Sequence, residues 1–106
     1  MSSKNGPMTE AMYYVLLALC TPLHGYAIMG AIEELSRGRV VMGPGTLYGI
    51  LSRMEKEKMI ALEEADGRRK IYKLTSAGRE ALRQEYLRLK AMVADGKTLV
   101  EEGDNG

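Results

Sequence analysis

The stretch that decides the fold runs from residue 44 to residue 75 and reads PGTLYGILSRMEKEKMIALEEADGRRKIYKLT. Its first part predicts a helix that begins near Pro44, a residue that is well tolerated in a first helical turn. Four apolar side chains follow at the spacing of one helical face: Leu47, Ile50, Leu51 and Met54. The opposite face is small and partly basic, so another surface can approach the helix backbone closely. It consists of Gly45, Gly49, Ser52 and Lys56, flanked by Tyr48 and Arg53.

The second part of this stretch predicts a β-hairpin. Two arms, 59–64 and 68–75, are separated by Ala65-Asp66-Gly67. An Asp-Gly pair is a strong hairpin signal because Gly supplies the positive φ that a tight turn demands. Three consecutive cations, Arg68, Arg69 and Lys70, directly follow the turn. A helix that enters the major groove beside a basic hairpin along the backbone or minor groove is an arrangement that suits DNA.

Two further helices are predicted on the N-terminal side. The first spans Thr9–Cys20, with Thr9 as its cap and Pro22 beyond its end. It is apolar on all sides, so it needs cover from more than one direction, and in a short chain a second subunit can supply part of it. The next helix spans about His24–Ser36. Residues 39–42 predict a short extended piece before the helix at Pro44.

A final helix is predicted from about Ser76 to Asp95. Its apolar residues are spaced 4, 3 and 4 apart, a heptad-like seam that suits packing against another helix: Leu82, Tyr86, Leu89 and Val93. We expect the partner to be the same helix of a second copy. The predicted dimerisation residues are therefore this seam together with Met12, Val15 and Leu16 of the first helix, although the pattern leaves open which face of the first helix is core and which is interface.

The order helix, helix, short strand, helix, hairpin, helix is that of a winged helix-turn-helix with an added C-terminal helix. The predicted fold class is mainly α with a small β-hairpin (α+β). The predicted organisation is a flexible arm over residues 1–7, a winged helix-turn-helix DNA-binding domain over 8–75, a dimerisation helix over 76–96 and a flexible tail over 97–106.

Composition narrows the classes further. A chain of 106 residues is one domain. The net charge is only +1, but residues 36–73 carry nine Lys and Arg against five Asp and Glu. The positive charge therefore lies where a phosphate-contacting surface would be needed.

The longest apolar run, 11–20, is too short to span a bilayer, and no signal peptide is visible. We expect a cytoplasmic protein without membrane contact.

No enzyme motif is present. Cys20 and His24 are spaced like a helical ligand pair or a nucleophile with its base, but Pro22 breaks the helix between them. A single Cys excludes an internal disulfide and a multi-cysteine zinc site. We therefore expect a packed thiol and a turn histidine, with no catalytic residue, no metal site and no cofactor.

Five strings of the sequence, in this order, resemble the PadR family of transcriptional regulators, specifically its short-tailed branch with a single C-terminal helix. They are Leu23-His24-Gly25-Tyr26, Pro44-Gly45-Thr46-Leu47-Tyr48, Leu51 through Met54-Glu55, Gly67 through Thr75, and Gly78-Arg79-Glu80-Ala81-Leu82. The resemblance covers roughly residues 8–95. Met59 departs from the pattern, because a Gly commonly stands where helix three gives way to the wing.

The resemblance implies a homodimer that acts mostly as a repressor at an inverted-repeat operator and is released by a small molecule or a stress signal. The family's recognition helix maps onto Pro44–Lys58 and its wing onto Met59–Thr75. Its dimerisation elements map onto the first and last helices. The chain lacks the Trp that some relatives use to stack flat aromatic ligands, so that route of ligand binding is not carried over.

The predicted DNA contacts lie on three elements. We expect phosphate contacts from Arg68, Arg69 and Lys70 of the wing. On the helix that begins at Pro44 we expect contacts from Thr46, Tyr48, Ser52, Arg53 and Lys56, with Thr46 and Tyr48 favoured over Ser52 and with Arg53 equally consistent with a plain surface role. Tyr26 fits a half-buried core position and a phosphate contact equally well. Because Gly49 lies in the middle of the outer face, operator shape is expected to contribute to specificity.

A different class of protein remains as the alternative. The winged helix also serves as a protein–protein interaction module that does not bind DNA. The basic hairpin and the non-acidic outer face of the third helix favour DNA, since such a module more often carries apolar or acidic residues there.

Overall fold

The computed structural model describes residues 8–65 and 69–103, with the side chains of 64, 65 and 69 outside the description. The chain forms α1 (Glu10–Ala18), β1 (Leu23–His24), α2 (Gly25–Leu35), α3 (Pro44–Lys56), β2 (Ile60–Ala65), β3 (Arg69–Leu74) and α4 (Ser76–Lys97), followed by a π-helical turn, Thr98–Glu102. This is the predicted mainly helical winged helix-turn-helix with an added C-terminal helix. The predicted arm over 1–7, the Asp66-Gly67 turn and residues 104–106 lie outside the described residues.

The helices begin where the sequence supplies a cap. The Thr9 hydroxyl accepts a hydrogen bond from the Met12 amide at 3.1 Å at the start of α1. Pro44 stands in the first turn of α3. At the start of α4, the Thr75 hydroxyl accepts a bond from the Gly78 amide at 3.0 Å. It also donates to the Lys58 carbonyl at 2.6 Å, so this one side chain ties α4 to the end of α3.

The sheet has three antiparallel strands in the order β1-β3-β2. The prediction of a short strand at residues 39–42 was wrong. The third strand is Leu23–His24, and Leu23 pairs with Tyr72 of β3. Residues 39–42 have no strand pairing because their loop folds back on the end of α2, where the Val40 amide donates to the Ser36 hydroxyl at 2.9 Å.

The junction between α3 and β2 is closed without a glycine. Lys58 takes the left-handed conformation with φ of 63°, and its amide donates to the Glu55 carbonyl at 3.0 Å. The Met59 amide then donates to the Met54 carbonyl at 2.9 Å. These two bonds form a Schellman motif, which satisfies the last carbonyls of the helix. The chain thus uses Lys58, one residue before Met59, to make this turn.

The core lies where α1, α2 and α3 meet the sheet and the start of α4. Its members with little or no exposed surface include Val15, Leu16, Ile28, Ile32, Leu47, Leu51, Met54 and Ile60. This corrects part of the predicted dimer interface. Val15 and Leu16 are 0% exposed, Met12 is 5% and Leu82 is 9%. These four pack inside their own chain and have almost no surface to give to a partner.

The C-terminal helix projects from this core. The molecule measures 61 × 31 × 21 Å, and beyond Leu82 most of α4 is exposed. Tyr86 and Val93 of the predicted seam are exposed, while Leu89 is half-buried. The helix ends later than predicted, since α4 reaches Lys97 and the π-helical turn continues to Glu102. Within the described ranges, no helix is both long and apolar enough to cross a membrane.

Candidate nucleic-acid interface

An open depression of about 400 Å³ lies where the start of α2, the first half of α3 and the middle of β3 meet. Its lining residues are His24, Gly25, Tyr26, Ala27, Tyr48, Lys70 and Tyr72. Three of them, Tyr26, Tyr48 and Lys70, are predicted DNA contacts that come from three separate parts of the sequence. The fold therefore brings the side chains of two of the predicted tyrosines and one lysine to the same depression.

Gly25 gives Tyr48 its place in this depression. The β1–β3 pairing holds Leu23 and His24 against β3, so α2 begins at Gly25 directly beside the sheet. A Cβ atom built on Gly25 would lie 2.5 Å from the Tyr48 hydroxyl oxygen. The tyrosine ring consequently fits over the bare backbone of α2, with 45% of the residue still exposed.

Tyr26 points away from the core. It is 83% exposed, which resolves the two predicted alternatives against a half-buried core position. Tyr72, which also lines the depression, is buried, and this burial, with smaller effects from Glu55 and Tyr48, raises the pKa of its phenol above the ordinary value. Tyr72 therefore stays protonated at neutral pH and adds no negative charge to the depression.

The outer face of α3 continues this surface. Thr46, Ser52 and Lys56 are exposed, as predicted for a contacting face. Cβ atoms built on Gly45 and Gly49 would meet nothing within 4 Å. The helix backbone is thus open to the outside at both glycines, and a second molecule can approach it closely.

Arg53 differs from the other cations of α3. Its Nε lies 3.3 Å from a Glu57 carboxylate oxygen one turn later, and its side chain is 40% exposed. A contact from Arg53 to a base would compete with this internal carboxylate. The geometry therefore favours a plain surface role for Arg53 over a contact with DNA.

On the wing, only part of the predicted basic run can be placed. Lys70 is exposed and lines the depression. The backbone of Arg69 pairs with Ala65 in the β2–β3 register, but its side chain and the whole of Arg68 lie outside the described residues. Lys73, a further wing cation, has its Nζ 2.8 Å from a Glu63 carboxylate oxygen, so its charge is compensated within the hairpin.

The Cys20 and His24 pair does not form a helical ligand site. His24 belongs to β1, while Cys20 lies in the turn after α1. Cys20 is exposed, so the expectation of a packed thiol was wrong. Within residues 8–65 and 69–103, no three His, Cys, Asp or Glu side chains stand close enough together to hold a metal ion.

Comparison with known proteins identifies the family. The profile of the transcriptional regulator PadR-like family matches residues 15–84. The chain belongs to this family. PadR family members are DNA-binding transcriptional regulators and not enzymes, which agrees with the absence of an enzyme motif in the sequence.

Two curated relatives of this PadR-like chain are longer proteins. It is 48% identical over 77 residues to an uncharacterized 37.1 kDa protein in transposon TN4556 of Streptomyces fradiae, which covers 72% of the chain and 22% of that protein. It is 33% identical over 61 residues to the transcriptional regulator YqjI of Escherichia coli, which covers 58% of the chain and 30% of the relative. The chain therefore spans less than a third of the length of these two relatives.

Solved structures share the fold. A PadR family transcriptional regulator from Eggerthella lenta superimposes with a TM-score of 0.71 at 26% identity, covering 86% of this chain and 81% of that one. Bacillus subtilis PadR in complex with operator DNA superimposes with a TM-score of 0.64 at 20% identity, covering 84% of this chain and 60% of that one. At this identity, the second match bears on the fold alone.

Sequence reasoning missed some residues of the site. Two lining residues were not predicted to belong to it: Gly25, which contacts Tyr48, and the buried Tyr72. Gly25 stands in the string Leu23-His24-Gly25-Tyr26, and a glycine allows close approach to the backbone, but nothing in the string indicated which side chain would approach it. Nothing in the sequence indicated that Tyr72 would line the same depression as Tyr48.

Proposed function

We propose that this PadR-like chain binds double-stranded DNA in a sequence-specific manner, through a DNA-binding face made of the depression and the outer side of α3. One observation carries this proposal. Tyr26, Tyr48 and Lys70 come from α2, α3 and β3 and converge on one depression. They lie beside a helix face whose glycine backbone is open.

The chemistry of this face suits a phosphate backbone next to a major groove. Phenol hydroxyls and an ammonium group donate hydrogen bonds to phosphate oxygens, and such contacts fix the position of a protein on the duplex without reading its sequence. Lys70 would also release a counterion and so make binding depend on salt. The hydroxyls of Thr46 and Ser52, on the exposed side of α3, are of a type that can hydrogen-bond to base edges. Sequence-dependent DNA shape would supply the rest of the specificity, since Gly45 and Gly49 have no side chain to read bases.

The proposed unit of binding is a homodimer. Tyr86 and Val93 lie on the projecting part of α4 and are 51% and 69% exposed. The spacing of Tyr86, Leu89 and Val93 fits a helix–helix seam. Two copies joined there would present two α3 helices, and recognition helices one DNA turn apart, roughly 34 Å, match an inverted repeat.

The oligomeric state tests this unit separately from DNA binding. We expect analytical ultracentrifugation to give a dimer at micromolar concentration and Val93→Asp to give a monomer. Leu35→Asp, which places the same charge at a residue of α2 that is 52% exposed, is the matched control and should stay dimeric. A wild-type monomer would contradict the dimer proposal.

We further propose that the dimer acts as a repressor that a small molecule or a stress signal releases. Family membership supports this role. A dimer bound to an operator would repress by keeping other proteins off that DNA. A protein with this role would work in the cytoplasm, where the sequence led us to expect it.

The DNA-binding proposal is tested by selecting genomic fragments with the purified chain and sequencing them. We expect a small set of fragments that share an inverted repeat, with the chain's own promoter region among the first to inspect. Fluorescence anisotropy on a recovered duplex should then give a Kd that weakens steeply with salt. Recovery of no enriched fragment, together with salt-independent or absent binding, would favour the protein–protein module instead.

A further inference from the structure

Arg39 links the loop 36–43 to helix α1 through two polar contacts. Its Nη1 lies 3.2 Å from a Glu10 carboxylate oxygen, and its Nη2 donates to the Tyr14 hydroxyl at 2.7 Å. Glu10 and Tyr14 are one turn apart on α1, so one guanidinium group bridges both. A planar guanidinium with several fixed donors suits this kind of two-partner contact.

The remaining hydrogen bonds of this loop are local. In the described part of the chain, the amides of Arg37, Gly38 and Arg39 donate to carbonyls of residues 33–36, and the Ser36 hydroxyl bonds to Glu33 and Val40. These bonds hold the loop to the end of α2 and to itself. Arg39 is therefore the residue that ties the loop to α1 by hydrogen bonds.

The same loop leads directly into α3. Met42 is buried, Gly43 is the N-terminal cap and Pro44 begins the helix. Only four peptide bonds connect Arg39 with Gly43, so we expect a shift of Arg39 to displace the first turn of α3. The N-terminal residues of a recognition helix are the ones that meet base edges.

We propose that Arg39 is a positioning residue that sets where α3 begins relative to α1 and thereby tunes the fit of the DNA-binding face to its preferred duplex. This inference rests on the proposed function. Arg39 acts through Glu10 and Tyr14, the two residues that its guanidinium contacts. The alternative, a direct phosphate contact from this exposed cation, predicts a different pattern of variants.

The experiment compares a duplex recovered by selection with an unrelated duplex of equal length, by anisotropy over a salt series. Arg39→Ala is expected to weaken binding to the recovered duplex by about three- to tenfold and to leave the unrelated duplex within about twofold, with little change in salt slope. The double variant Glu10→Gln, Tyr14→Phe, which keeps the cation, should reproduce this loss. Arg39→Lys should restore part of the affinity. Arg37→Asn is the matched control, because it removes one charge from the same loop at a left-handed position that Asn tolerates.

Two results would overturn the proposal. In the first, Arg39→Ala weakens binding equally on both duplexes and reduces the salt slope by about 0.9, while the double variant binds like the wild type. This pattern would indicate a direct phosphate contact from Arg39. The second result comes from a measurement on the free protein without DNA, so it distinguishes a failure of this inference from a failure of the proposed function. In the free protein, amide hydrogen exchange over residues 40–47 should be faster in Arg39→Ala and in the double variant than in the wild type and Arg37→Asn. Unchanged exchange would contradict the positioning role.

Discussion

The hydroxyl of Tyr48 lies directly above Gly25, at the distance where a Cβ atom on residue 25 would come within 2.5 Å of its oxygen. This contact joins the first turn of α2 to α3 and fixes the direction of a phenol that lines the depression. The glycine is therefore required for the shape of the candidate DNA-binding face more than for the core.

Gly25→Ala should displace the Tyr48 ring, because the end of the tyrosine side chain moves more easily than the backbone of α2. The displaced hydroxyl would then lose the proposed hydrogen bond to a DNA phosphate. A hydrogen bond to a charged group contributes about 1.5–3 kcal/mol, so we expect at least about a tenfold weaker Kd for a selected duplex. Gly30→Ala lies on the same helix, where a Cβ meets nothing within 4 Å, and should bind DNA normally. Anisotropy titrations of both variants check this; equal affinities would mean that the Tyr48 position does not matter for binding.

Gly49→Ala should raise the free energy of unfolding and weaken DNA binding. The added methyl lies in open space in the free protein, and replacing a helix-interior Gly by Ala stabilises a fold by roughly 0.5–1 kcal/mol. If DNA packs against this face, the same methyl weakens binding by at least about fivefold, since overpacking costs about 1–3 kcal/mol. Urea denaturation and anisotropy on the same sample measure both effects. A more stable variant with unchanged affinity would show that the duplex does not approach Gly49.

Two charge variants of the wing should act in opposite directions. Lys70→Ala should weaken binding to any duplex and lower the slope of log K against log salt by about 0.9 per protomer. Glu63→Gln should strengthen binding and steepen the slope, because it releases Lys73 from its 2.8 Å ion pair. Salt titrations by anisotropy test both variants. A steeper slope in Lys70→Ala, or a weaker complex in Glu63→Gln, would be incompatible with a wing that contacts phosphates.

Gly78→Ala should destabilise the fold through the joint between the wing and α4. A Cβ on Gly78 would collide with the Met59 carbonyl, which cannot move freely because it accepts a bond from the Thr75 amide at 3.0 Å. We expect a loss of about 1–3 kcal/mol in the free energy of unfolding. Gly96→Ala on the same helix, where the nearest side-chain atom is 3.9 Å away, should be neutral or stabilising. Urea denaturation of the two variants provides the comparison.

Tyr72 should make the fold sensitive to alkaline pH. Burial raises the pKa of its phenol above 10.0 in the folded state, so above pH 10.0 the unfolded chain releases this proton more readily than the folded one. Stability is thus fully present below that pH and falls as pH rises through the folded pKa. Thermal melts between pH 8 and 11 should show a shallower decline for Tyr72→Phe than for the wild type. Tyr26→Phe, at an exposed tyrosine, should follow the wild-type curve.

Local sequence signals were sufficient for most of the fold. Thr9 and Pro44 mark helix starts that the structure confirms within a residue, and the last helix begins at Ser76 as predicted, because helix starts depend on groups only three or four residues away. The strand Leu23–His24 was not predicted, because two residues have no periodicity and the pairing with Tyr72 depends on tertiary contact.

The functional surfaces were less predictable, because burial depends on the whole fold. Leu16 was assigned to a dimer interface from an all-round apolar helix, but α2 and α4 of the same chain already pack on α1, and Leu16 is completely buried. The exposure of Tyr26 was equally undecidable from its helical position. The contact of Arg39 with Glu10 joins residues far apart in the chain, and no spacing rule indicates it.

The most direct test of the account is to map the bound duplex on the chain by amide chemical-shift perturbation. On titration of the isotope-labelled protein with a selected duplex at low salt, we predict the largest shifts at residues 25–27, 44–56 and 70–72, with little change at residues 87–94 of α4. Shifts confined to α4, or none with the duplex in excess, would contradict a DNA-binding face built from Tyr26, Tyr48 and Lys70.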